Sequence, residues 1–540
     1  MRSARLTRFV RAVLLPGLVA LTAPALGGCA GAATASARPA DTIVALEPSD
    51  ANTIDPLFAN NQPATTYGSL VLDGLVENGP NLTFVPALAT HWATSPDRLH
   101  WTVELRRGVR WSDGVPFDSR DVVFTWSRIL DPKVGDPYLG QFDFLKKVVA
   151  EGPYRVRFDL SRPYAGFVSI VLFELLIPEH ILAKIPPAQM RFSPTGFGEH
   201  PVGLGPYRVD HWDHDNEAVF VRNDKYWRGP AKTRRLDIKI VLNQDAIGEA
   251  MRNREGDFTE TVDASIYRNL ALAGANLVFL QVPDLYERIV MINLRQRGLR
   301  DHAVREAMQR GWNREALAAG LFHGGERIDD TITPLAILTY HDKDTVHYPY
   351  DPARARALLD GAGWRPGPAG IRTKNGFPLA FTLSLPNKGP GGANPMLEFQ
   401  SDMAAIGIRI AVQVLDYPTF INRTNAFEYQ LAYTGWGGVV DPDQYTFLYS
   451  TQAAPAGNNF TGYANPAVDR DLIAGQTAAT TAQRKVAYDD MQRRTTADLP
   501  VIWGYDDYER FLLSRRLDVH GDREPDGNFW WNVYDWTLRS

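Results

Sequence analysis

Apolar residues fall at every second position around Trp101. In WTVELRR, residues 101–107, Trp101, Val103 and Leu105 share one face, the period of a half-buried strand. WSDGV follows, and its Asp113-Gly114 pair is a tight-turn signal. The period then changes. In FDSRDVVFTWSRIL, Val122, Val123, Trp126 and Ile129 form a stripe at helical spacing. Asp118 fits the N-cap, and Asp121 fits the third helical position, where a carboxylate suits the helix dipole. Phe117 and Val122 stand at the positions of a hydrophobic staple. Each polar residue between Leu105 and Trp126 has a local structural task, so this dense pattern reads as scaffold.

Other segments repeat these patterns. YRVRFDL, 154–160, predicts a second alternating strand, and PVGLGPYRVDHW, 201–212, a turn-rich crossing that leads into a strand. NDKYWRGP, 223–230, closes a hairpin-like unit. DHAVREAMQRGWNREAL, 301–317, predicts an amphipathic helix. DPARARALLDGAGW, 351–364, predicts another, stopped by Gly361 or Gly363. Strand and helix signals alternate irregularly, which predicts a mixed α/β protein.

The first residues follow a different plan. Arg2, Arg5, Arg8 and Arg11 precede an apolar run, AVLLPGLVALTAPAL, too short and too proline-interrupted for a spanning helix. This is a signal-peptide pattern over 1–28. It ends in LGGC, and Cys29 is the only cysteine of the chain. AGAATASARPAD then reads as a tether, so 29–41 forms a linker segment that starts at Cys29. No later run of 18 apolar residues appears.

Charge and composition narrow the function. The chain of 540 residues has a formal charge of −5, and loss of the four arginines takes it to −9. An acidic balance opposes a nucleic-acid binder. Walker, zincin, nucleophile-elbow and paired Cys-x-x-Cys motifs are missing, so neither an enzyme, a cofactor nor a metal is expected. His211 and His214, three apart on a strand, would not face one site. Asp441 and Asp443, in VVDPDQY, read either as paired carboxylates or as turn caps around Pro442.

An ordered set of motifs resembles one family, the extracytoplasmic solute-binding proteins of the dipeptide and oligopeptide type that serve ABC importers. The set comprises NTIDPLF at 52–58, LVLDGLVENGPNLTFVPALATHW at 70–92, PVGLGPYRV, RNDKYW, DHAVREAM, YDPARARALLDGAGW, YTGWGG and ADLPVIWGY at 497–505. LGGC resembles the lipobox of bacterial lipoproteins, which implies cleavage before Cys29 and lipid on its sulfur. The resemblance implies a two-lobed periplasmic-binding-protein-like α/β fold with a cleft and two hinge crossings. Lobe I would span 42–284, with an inserted subdomain at 75–195, lobe II 285–499, and 500–540 would return to lobe I. The protein would be a monomer, held at the extracytoplasmic face of the cell membrane, and would pass a peptide to permease subunits.

The resemblance also places ligand residues. Gly435 and Trp436 match a cleft pair, Glu47 a segment bordering the ligand strand, and Asn458 and Asn459 another cleft-facing stretch. Tyr433 stands where some relatives carry an Arg, and Val439 where relatives carry an Asp that pairs with the peptide amine. Asp441 is the nearest replacement anchor, with Asp443 beyond it, and Arg423 is the counterpart of a carboxylate-neutralising Arg. The departures at Val439 and Tyr433 leave haem, a nickel chelate, a sugar or another amphipathic molecule open as ligands of the same fold. From other classes, an envelope hydrolase and a chaperone or signalling receptor also stay open.

Overall fold

Two long strands, Leu277–Ile292 and Val501–Ser514, pair antiparallel through the middle of the molecule. This computed structural model describes residues 40–79, 82–136, 138–192, 195–260, 262–387, 392–437, 440–455, 457–520 and 529–539. The pair lies at the centre of a ten-stranded mixed sheet. On one side follow Leu431–Gly437, Ala380–Pro386 and Arg409–Leu415. On the other follow Phe258–Thr259, Thr42–Glu47, Arg235–Ile240, Glu217–Arg222 and Tyr207–Asp213. Long strands can cross between two lobes because their backbone groups remain paired along the way. Their register shifts between Pro283 and Glu287, so the ladder is irregular where they cross.

Separate cores cover the two ends of this sheet. Val290, Ile292, Leu383, Phe399 and Tyr505 lie in one cluster, and Ile289, Met291, Tyr488 and Trp503 in another. Alternate residues of one strand thus enter opposite cores, as a period of two requires. At the other end Ile43, Tyr67, Phe258, Phe511 and Trp536 pack together. The architecture is mixed α/β, with two lobes, a cleft and two hinge crossings.

A four-stranded antiparallel sheet, in the order Ala89–Thr94, His100–Leu105, Arg155–Leu160 and Leu145–Gly152, stands apart from the large one. It packs on the helix Ser119–Ile129 around buried Val103, Trp126 and Phe158. The helix starts with a capping box: Asp118 accepts from the Arg120 N–H at 2.9 Å, and Asp121 accepts from the Asp118 N–H at 3.1 Å. Such a cap contributes about 1 kcal/mol. Gly114, in the predicted turn, has φ +101°, a value that a side chain would strain.

One expected helix is two. His302–Gly311 ends at Trp312, whose backbone is extended, and Arg314–Gly320 starts afresh with the Asn313 side chain capping the Ala316 N–H at 3.1 Å. The amphipathic stripe continues across this break because buried Trp312 fills the gap against Phe399. Gly363, with φ +84°, lies just past the helix Pro352–Gly361 and its C-cap Ala362.

Candidate ligand-binding site

Acidic residues interrupt the apolar run of both long strands where they cross. Asp284 and Glu509 lie close enough to act on each other, and Glu509 also faces Glu260. Glu47, at the end of Thr42–Glu47, faces Glu260 and Glu509. Burial, reinforced by these like charges, pushes Glu47 and Glu509 well above the usual carboxylate range. Burial and its neighbours likewise push Asp284 and Glu260 up to about 7. One Glu47 oxygen has no hydrogen-bond partner. Among the described residues, no Lys or Arg forms an ion pair with any of these four carboxylates. The nearest cations are used elsewhere: Arg288 pairs with Asp507, and Arg510 with Glu326 at 2.9 Å.

Aromatic residues adjoin this strip. Tyr286 lies within electrostatic reach of Asp284 and Tyr138, and Tyr138 lies near Tyr417, on the helix Tyr417–Asn425. Tyr138 and Tyr417 are both exposed. An acidic floor beside open aromatic rings suits an ammonium group attached to an apolar body.

Three residues anticipated from sequence lie on the neighbouring strand, Tyr433 and Gly435 on the face of Arg288 and Trp436 on the opposite face, across from Glu287. Gly435 pairs with Arg288 across the sheet, and a Cβ at 435 would come within 2.8 Å of the Arg288 Nη1. Glycine therefore leaves the space that the guanidinium occupies. The Tyr433 hydroxyl meets that of Tyr505 at 2.5 Å, and both rings flank Arg288. Trp436 is half-buried, stacked on Phe447 at 4.2 Å, and donates its Nε1–H to Gln444 at 2.8 Å. Both contacts hold its ring in place.

Asp441 is already engaged. Arg484 grips its two oxygens at 2.7 and 3.0 Å, the Ser169 hydroxyl donates at 2.6 Å, and the Asp443 N–H donates at 3.0 Å. Little acceptor capacity remains for a ligand amine. Asp443 accepts from Tyr164, Gln476 and the Tyr445 N–H, and burial pushes it up to about 6. Ser169 and Tyr164 come from the region of the four-stranded sheet, so these bonds form a clasp between distant parts of the chain. Arg98 extends it, donating to the carbonyls of Ala478 and Thr477 at 2.7 and 2.8 Å. A pocket of about 240 Å³, lined in part by Arg98, Tyr340 and Arg484, opens beside the clasp and shares no residue with the acidic strip.

The remaining anticipated residues lie apart. Arg423 donates to Gln413 on the sheet's edge strand, two strands beyond Leu431–Gly437. Asn459 is fully buried and spends its side chain on Tyr449, Thr461, Gly462 and Tyr463, which makes it a loop organiser. The Asn458 N–H donates to the Thr446 carbonyl at 2.9 Å. Cys29 and Val439 lie outside the described residues. Asp284, Glu260 and Glu509 escaped the sequence reading. The one signal for Asp284 and Glu509 was acid within the otherwise apolar runs DLYERIVMINL and VIWGYDDYERFLL; Glu260, in FTETVD, carried none.

Known proteins resemble this chain in sequence and in fold. Protein XP55 of Streptomyces lividans is 29% identical over 514 residues, covering 92% of this chain and 91% of its own. The glutathione-binding protein GsiB of Pectobacterium atrosepticum is 26% identical over 497 residues, covering 88% and 89%. The oligopeptide-binding protein AppA of Bacillus subtilis, solved with a nonapeptide, superposes with a TM-score of 0.84 at 21% identity and covers 92% of this chain and 99% of its own. The model of the bacterial extracellular solute-binding proteins, family 5, matches residues 83–459. A chain with this sheet, this cleft and a family match over most of its length is a solute binder of an ABC importer and not an enzyme: it belongs to the bacterial extracellular solute-binding proteins of family 5.

Proposed function

We propose that the protein captures peptides with a free ammonium group in the interlobe cleft and passes them, as a monomer, to an ABC permease. Lobe I would comprise 42–284 and 500–540, and lobe II 285–499. The observation that carries the ligand class is the unneutralised strip of Glu47, Glu260, Asp284 and Glu509. Buried carboxylates gain most from a cationic partner. The names of GsiB and AppA's complex support peptides as the class. In this reading Tyr433 and Gly435 shape the niche for Arg288, Trp436 supplies a fixed aromatic wall, and Asp441 serves closure.

Thermal unfolding with a ligand panel tests the reading. A free-amine peptide at 100 times its Kd should add about 2.7 kcal/mol to stability. A panel in which haem or a nickel–histidine chelate raises the melting temperature, and no peptide does, would transfer the function to those ligands. The response to pH has a defined sign. Carboxylates whose pKa is raised on folding stabilise the free protein below about pH 4, and that contribution is lost as pH rises through about 7 for Asp284 and Glu260. An ammonium ligand needs them ionised, so its affinity should rise across the same interval. Affinity independent of pH from 4 to 8 would contradict the acidic strip as its site.

The anchor is a separate part of the proposal. Lipid on Cys29 would hold the protein at the membrane, so Cys29→Ser should move it to the soluble extracytoplasmic fraction with its fold intact. Quantitative retention in membranes after a high-salt wash would exclude the lipid anchor.

A further inference from the structure

Three carboxylates meet on the other face of the long strands from Arg288. Glu287 and Asp506 are direct cross-strand neighbours, and neither is exposed beyond 1%. Asp329 joins them from a loop that the backbone clips to the same strand. The Asp506 N–H donates to the Arg327 carbonyl at 2.8 Å, two residues before Asp329. One oxygen from each residue lies within 4.8 Å of the others. Like charges directly opposed on a sheet are unfavourable, and burial magnifies the effect.

The hydrogen bonds leave this charge uncompensated. The Leu335 N–H donates to Asp506 Oδ2 at 3.3 Å, and the Asp330 N–H to Asp329 Oδ1 at 2.7 Å. Neither oxygen of Glu287, which is fully buried, receives a hydrogen bond from an N–H or hydroxyl donor, and nor do Asp506 Oδ1 and Asp329 Oδ2; the Glu287 and Asp506 carboxyls can be joined only through a proton between them. Nearby cations are too few. Arg314 is paired with Asp330 at 2.8 Å, and its other N–H groups go to backbone carbonyls. The Arg327 side chain is exposed. His341 stands 3.3 Å from Asp329 Oδ2, and its Nδ1 lies 2.9 Å from the Thr333 carbonyl. A carbonyl only accepts, so Nδ1 carries the proton and Nε2 is the atom turned to Asp329. One imidazolium could balance one carboxylate of three.

We propose that Glu287, Asp329 and Asp506 bind one calcium-class divalent cation beneath the central strand pair. The donors are all hard carboxylate oxygens, which select calcium, magnesium or manganese over softer metals. Calcium is the best fit of these. It accepts irregular arrangements of oxygen ligands, as three side chains from two strands and a loop provide, whereas magnesium demands near-ideal octahedral geometry at about 2.0–2.1 Å. The position gives the ion a structural task. It would tie the loop carrying Asp329 to both crossing strands, beside Trp436, the cross-strand neighbour of Glu287. The spacing of 287, 329 and 506 along the chain hides this set from any motif search, which is why a metal was not anticipated.

Full-length protein stripped with EDTA and dialysed provides the test. Adding 1 mM Ca²⁺ should raise the melting temperature by about 2–3 °C and leave about one calcium per chain after desalting. Tb³⁺, used as a calcium analogue, should luminesce when tryptophan is excited, and Ca²⁺ should quench that signal by competition. Glu287→Gln should abolish the calcium and terbium responses. In EDTA it should melt no lower than the native chain, because it removes one uncompensated charge. Asp329→Asn provides a second variant with the same expected loss, and Asp224→Asn, exposed and remote in sequence, should keep the native response. No calcium-dependent shift in the native chain would overturn the proposal, and would point to a proton shared between Glu287 and Asp506. A shift that survives in both cluster variants would overturn it too, as would a larger response to Mg²⁺ or Zn²⁺ than to Ca²⁺.

Discussion

Asp284→Asn combined with Glu509→Gln should cost a free-amine peptide about 3–5 kcal/mol of binding free energy, and the same peptide N-acetylated far less. An ammonium enclosed by two lobes has lost its water, so it needs carboxylates within reach. Asp284 and Glu509 sit on neighbouring crossing strands, with Glu260 and Glu47 behind them. Either single change should cost less than the pair, because the remaining acids lose a repelling neighbour and ionise more readily. Calorimetry at pH 8 with both forms of one peptide checks this. Equal losses for the two forms would make these acids structural, and no loss for either would place the amine elsewhere.

Arg484→Met should destabilise the folded protein by about 3–5 kcal/mol. The Arg484 and Asp441 side chains are only 9% and 3% exposed, so removing the guanidinium leaves a buried carboxylate with two hydrogen bonds in place of four. Adding Asp441→Asn to Arg484→Met should recover much of that loss, since a buried pair is weak in net terms although half a pair is costly. Urea unfolding of the two variants measures the difference; a double variant no more stable than Arg484→Met would refute the pairing. The clasp also predicts how Asp441 affects ligand. If the clasp serves closure, Asp441→Ala should weaken free-amine and acetylated peptides alike, because it removes the acceptor of the bond from Ser169. A selective loss for the free amine would restore Asp441 as its anchor.

Local features were written in the sequence because their causes lie within a few residues. The Asp118–Asp121 capping box, the turn at Gly114 and the strand 155–160 follow from period, cap and turn chemistry. The break at Trp312 was hidden because the helical stripe runs through it, and only packing against Phe399 shows that the ring bridges two helices. The lobed architecture was legible through the order of motifs over most of the chain.

The site was legible only in part. Tyr433, Gly435 and Trp436 lie on one strand, and a short motif was enough to single them out. Asp441 and Asp443 stood out as a pair, but their partners, Arg484, Ser169 and Tyr164, come from 43 to 279 residues away. The same holds for the acidic strip, where Glu47 and Glu509 belong to strands at opposite ends of the chain. It holds again for Glu287, Asp329 and Asp506. Sequence by itself determined the elements, the lobes and the kind of molecule, because secondary structure and motif order are local or cumulative properties. Only the tertiary structure decided which acids stand free, which are clasped and which face one another in the core, because a carboxylate's charge is set by whatever folding places within a few ångströms of it.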